Sequence, residues 1–183
     1  MRLSRMLILV LFLIPGSARP VLAQGRNEIA FSAGGGPLLV NPGGGATPVF
    51  SFSYQFHITG HFSVEAALDV FYYKFVVGPP DSPSLYRDDY AGVEAAVVYN
   101  FRAHPKTGRW LPFVAAGIGK TTTDFTEIPS QRYYRLGGGV AYHLTERLGI
   151  RLEARDEIIR RLWANGNPHG NLPSLRCGIV FRF

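Results

Sequence analysis

The sequence predicts an all-β fold: an eight-stranded antiparallel transmembrane up-and-down β-barrel behind a cleaved N-terminal signal peptide. Three observations predict it. The first residues form a short export leader. The remainder alternates apolar and polar residues with period two in eight separate segments. The connections between those segments alternate short and long. Of the 183 residues only 17% are charged and 13% are aromatic, while 21 glycines and 13 prolines punctuate the chain. That composition suits turns between strands whose outer faces do not meet water.

Residues 1–23 read as the signal peptide, leaving 24–183 as the barrel domain. Arg2 and Arg5 supply a basic start, and Met6 to Ile14 is apolar but too short to cross a bilayer as a helix. Pro15 and Gly16 end that run, and Val21-Leu22-Ala23 places cleavage before Gln24. Export removes Arg2, Arg5 and Arg19, so 16 basic residues face 13 acidic ones and the formal charge falls from +6 to +3. The basic balance then offers little to nucleic acid. Cys177, the single cysteine, has no partner for an internal disulfide.

The eight strands are expected at about 27–36, 47–58, 62–75, 88–101, 110–120, 132–143, 147–157 and 173–183. In the second, Phe50, Phe52, Tyr54, Phe56 and Ile58 oppose Ser51, Ser53, Gln55 and His57. In the third, Phe62, Val64, Ala66, Leu68, Val70 and Tyr72 oppose Ser63, Glu65, Ala67 and Asp69. In the seventh, Leu148, Ile150, Leu152 and Ala154 oppose Arg151, Glu153 and Arg155. The fifth is apolar or small on both faces, and its outward face cannot be assigned.

Short turns are expected after strands two, four and six, at 59–61, 102–109 and 144–146. Longer polar loops are expected at 37–46, 76–87, 121–131 and 158–172. With the N-terminus in the periplasm this is the outer-membrane arrangement, and aromatic rims support it. Phe56, Phe62, Tyr99, Phe101, Trp110 and Tyr142 are expected at the periplasmic rim. Tyr72, Tyr73, Phe75, Tyr86, Tyr133, Tyr134 and Trp163 are expected at the outer rim.

The chain ends Leu175-Arg176-Cys177-Gly178-Ile179-Val180-Phe181-Arg182-Phe183. Cys177, Ile179, Phe181 and Phe183 share a face, which resembles the C-terminal β-signal read by the barrel assembly machinery. With the stretch Leu136 to Leu148, it resembles the outer-membrane protein A-like and outer-membrane protein X-like barrels across the whole mature chain. The resemblance implies the bacterial outer membrane, lipid and lipopolysaccharide as surroundings, and assembly by that machinery. It names no activity and no extracellular ligand.

Strand parity sends Glu28, Glu65, Asp69, Glu94 and Glu153 inward with Arg135, Arg151, Arg155, Arg176 and Arg182. An eight-stranded interior holds little more than its own side chains. A paired, structural lumen network is therefore expected, with an ion pathway as the alternative, because unpaired buried charge is costly.

No cofactor, metal or nucleotide site is expected. Gly117-Ile118-Gly119-Lys120-Thr121 has part of a phosphate-loop pattern, but Val114 stands where it needs glycine. His57, His61, His104, His143 and His169 are scattered, each read as a lumen or loop residue. Asp81, Asp88 and Asp89 read as solvated loop acids. Small lipid A deacylases resemble the C-terminal half, yet their His-x-Ser pair is missing at Arg155-Asp156-Glu157-Ile158-Ile159. The expectation is a non-enzymatic integral outer-membrane barrel with a structural or surface-interaction role. Candidate contact loops carry Gly34–36, Gly43–45, Arg160, Arg161 and Trp163. The alternatives are a narrow channel, a lipid A deacylase-like enzyme, or a soluble lipocalin-like binder.

Overall fold

The structure is a computed structural model that describes residues 27–37, 46–77, 84–102, 110–123, 132–159 and 170–183. Eight strands follow in chain order: β1 Glu28–Pro37, β2 Ala46–His57, β3 Phe62–Val77, β4 Ser84–Asn100, β5 Trp110–Thr123, β6 Arg132–His143, β7 Leu148–Ile159 and β8 Gly170–Arg182. Each pairs antiparallel with its neighbour, and β8 pairs with β1 to close the barrel. Asn27 and Phe183 seal that seam with reciprocal backbone hydrogen bonds of 2.9 Å. Closure leaves no unpaired strand edge, the condition for a sheet in hydrocarbon.

Most strand ends agree with the sequence reading, and the far ends run longer. The β3–β4 ladder continues to Val77 opposite Ser84, so residues 76, 77 and 84–87 of the expected 76–87 loop are strand. Asp88 and Asp89 are β4 residues paired with Tyr73 and Tyr72. Alternation fades in Phe75-Val76-Val77, but backbone pairing does not need it. The signal peptide, Asp81, His104, Arg160, Arg161, Trp163, His169 and Gly43–45 lie outside the described residues.

The register fixes the tilt. Cross-strand partners lead from Glu28 through Gln55, Glu65, Ala96, Gly117, Arg135 and Glu157 to Leu172. Leu172 is three residues short of Leu175, the partner of Gly35, so the circuit returns to β1 ten residues further on. A ten-residue stagger over eight strands corresponds to a tilt of about 40°.

Faces follow parity. Phe31, Phe50, Val64, Val97, Ile118, Leu136, Leu152 and Ile179 are exposed on the outer surface, against the soluble pattern. The face of β5 left open by sequence is decided: Leu111, Phe113 and Ala115 are buried inside, while Trp110, Val114 and Ile118 look out.

Two turns at the end carrying the termini share one design. Thr59 N–H bonds Phe62 O at 3.0 Å, and Thr59 Oγ1 accepts from the amides of His61 and Phe62. Thr145 does the same with Leu148, Arg147 and Leu148 in turn. A threonine hydroxyl thus satisfies two donors that a tight turn leaves over. Rings gather beside these turns: Phe62 and Tyr99 lie 5.0 Å apart, Tyr99 and Phe101 5.4 Å, and Trp110 and Tyr142 4.7 Å.

Tyr133 departs from the expected outer rim. It shares parity with Arg135 and is buried inside. Gly119 makes this possible: a Cβ there would stand 2.1 Å from the Tyr133 ring, and one at Gly92 would stand 3.1 Å from its hydroxyl. The glycines of the phosphate-loop-like stretch therefore sit within a strand, and one of them gives a neighbouring ring its room. Tyr134, the next residue, faces outward and is exposed.

Candidate functional site

The polar chemistry of the barrel is inside it. Among the described residues, six carboxylates and five guanidinium groups are buried there. They comprise the ten charged residues named from parity, together with Glu157. Four of the acids, Glu28, Glu65, Asp69 and Glu94, come from β1, β3 and β4; all five arginines come from β6, β7 and β8. Walls of small residues, such as Ser53, Ala115, Gly137 and Gly178, leave the width that long arginines need to cross.

Arg135 is the hub. Its Nη1 donates to Glu65 at 2.6 Å and to Glu94, and its Nη2 donates to Glu153 at 2.5 Å. Both Arg135 and Glu65 are 0% exposed. Arg151 donates to the other Glu65 oxygen at 2.5 Å and lies 4.3 Å over the Phe113 ring. Arg155 bridges Asp69 at 3.0 Å, Glu94 at 2.8 Å and Glu153 at 3.0 Å. Arg176 donates to Asp69 at 2.8 Å and to Glu157. Tyr133 donates to Glu94 at 3.2 Å. Asp69, Glu94 and Glu157 bring oxygens within 4.8 Å of one another, and each is already held by an arginine.

A second polar group fills the end carrying the termini. Arg182 donates to Glu28 at 2.9 Å and contacts His143 Nε2 at 2.8 Å. Gln55 and Asn100 donate to Ser63 Oγ at 2.8 and 3.3 Å, which leaves the serine proton for His57 Nδ1 at 3.0 Å. His57 Nε2 is 3.5 Å from Glu28. Ser63, His57 and Glu28 thus stand in the order of nucleophile, base and orienting acid. Ser63 is 0% exposed, and its neighbours are the barrel's own side chains.

Sequence reasoning missed Glu157, although Arg151, Glu153 and Arg155 continue to it by parity. It placed Glu157 at a strand end, and β7 runs on to Ile159. It also missed the Ser63 cluster, whose members come from four strands and carry no local motif. His57 and His143 are lumen residues, while His61 lies in an exposed turn. Cys177, Ile179, Phe181 and Phe183 all face outward and are exposed, in line along β8.

Residues 8–183 match the family described as outer membrane protein beta-barrel domain. The chain belongs to that family, and its place is the bacterial outer membrane. Solved structures agree on the fold. The outer membrane protein OprG from Pseudomonas aeruginosa superposes with a TM-score of 0.65 at 12% identity, over 87% of this chain and 96% of that one. Ail, the attachment invasion locus protein of Yersinia pestis, solved with the heparin analogue sucrose octasulfate, gives 0.56 at 14% identity, over 88% and 100%. Neisserial surface protein A gives 0.56 at 16% identity, over 87% and 96%. No curated protein sequence matches the chain.

Proposed function

We propose that this protein is a non-enzymatic integral barrel of the outer membrane, whose ion-paired interior serves the fold and whose far-end loops meet the surroundings. The observation that carries this reading is Arg135, fully buried and bonded to carboxylates of β3, β4 and β7. Its bonds span the interior, so a continuous water path would have to break them. Buried pairs of this geometry hold each other because each partner alone would be an uncompensated charge.

Conductance tests it. Purified barrel in a planar bilayer is expected to give no steady single-channel current. Sustained openings in the wild-type protein would support the channel reading instead. The Ser63-His57-Glu28 group supports no acyl hydrolysis in this reading, because a lipid chain has no access to a serine inside the wall. Lipid A from an expressing strain is accordingly expected to keep its acyl chains, as read by mass spectrometry. Assembly follows the same reading: the outward row Cys177, Ile179, Phe181 and Phe183 is what the barrel assembly machinery would engage on β8.

A further inference from the structure

Lys120 and Arg132 are direct cross-strand partners at the far ends of β5 and β6. Both are exposed on the outer face of the barrel. Like charges set directly opposite each other destabilise a sheet. Among the described residues neither has a carboxylate partner; the outward Asp156 is paired with Leu136, four residues away from Arg132. Their surroundings are apolar. Val93 is the other partner of Lys120, and Ile118 with Tyr134 form the next pair on the same face. All three are exposed.

Depth gives the pair its meaning. Ten residue steps of β6 separate Arg132 from Tyr142, which lies in the opposite aromatic rim. At about 3.3 Å per residue and a tilt of about 40°, that is roughly 25 Å, the height of the apolar band of such barrels. Lys120 and Arg132 therefore stand at the headgroup boundary, their stems along apolar wall and their charges at its edge.

We propose that Lys120 and Arg132 together bind the phosphate of an anionic lipid headgroup in the leaflet at the loop end, seating that lipid against Val93, Ile118 and Tyr134. A phosphate between them turns the repulsion into two charge-assisted contacts, with the guanidinium able to grip two oxygens. In the outer membrane a phosphate-bearing lipid of this leaflet is lipid A. The inference rests on the membrane location alone and stands whether or not the barrel conducts.

The test compares wild type with K120Q/R132Q, and with Arg147→Gln in an exposed turn as control, by heating folded protein and reading the boiling-dependent gel shift. In neutral detergent the double variant is expected to melt at or above the wild type, since its repulsion is gone. With phosphorylated lipid A in the micelles the order is expected to reverse, the wild type and the control rising and the double variant rising little. An equal rise in all three proteins overturns the site. An equal wild-type rise with dephosphorylated lipid A overturns the role of phosphate. The same rise with inorganic phosphate alone overturns the lipid as occupant. Should the double variant fail to fold, K120Q and R132Q singly are each expected to lose part of the rise, and no loss in either overturns the site.

Discussion

Arg135 concentrates the energetics of the interior in one side chain. Truncating it leaves Glu65 to Arg151 at 2.5 Å and the more distant Arg155 at 3.8 Å, and strips Glu94 and Glu153 of a donor each. Breaking a buried pair from one side costs about 3–5 kcal/mol. Arg135→Ala is therefore expected to lower the urea midpoint by that equivalent, whereas Arg147→Ala in its exposed turn changes stability by less than about 0.5 kcal/mol. Equal midpoints would show that the buried pairs contribute nothing. At this scale the charged residues were legible in sequence, because period two assigns Glu65 and Arg151 to one face without any three-dimensional knowledge. Ser63 was not legible: serine, histidine, glutamine and asparagine on separate strands acquire meaning only through register.

At the scale of the element, β5 and β6 show why some positions resist reading. β5 is small or apolar on both faces, so its parity carried no signal, and the structure resolves it through Phe113 under Arg151. Tyr133 was misplaced because a tyrosine near a strand end reads as a membrane-interface ring. The deciding residue is Gly119 on the neighbouring strand, which no local rule consults. Gly119→Ala is expected to force the Tyr133 ring aside and cost about 1–3 kcal/mol by overpacking, measured by the same unfolding series. Combining it with Tyr133→Leu is expected to recover part of the loss; no recovery would mean that the glycine serves the backbone instead. The far ends of β3 and β4 outran the sequence reading for a related reason. A paired hairpin persists beyond the apolar band, where side-chain alternation is no longer required.

For the whole molecule, the closed order of strands was legible from alternation and from the rhythm of connection lengths, since only closure satisfies every backbone group in hydrocarbon. The ten-residue stagger was not, because it depends on eight pairings at once. Export belongs at this scale too. The mature protein recovered from an outer-membrane fraction is expected to begin at Gln24, read as its intact mass; a mass that includes Met6 to Ile14 would instead indicate a retained leader.

The segregation of charge along the chain has a consequence for assembly. Among the described residues, the buried charges of β1 to β4 are four carboxylates and no arginine, whereas those of β5 to β8 are five arginines and two carboxylates. Neither half can neutralise itself. Each half alone carries a net charge of one sign on its concave side, and the two halves attract across the gap. Glu28 and Arg182, facing each other across the β1–β8 seam, form an ion pair that only the closed barrel brings together. The charge distribution thus favours the closed cylinder, in which the two halves neutralise each other, over the open sheet.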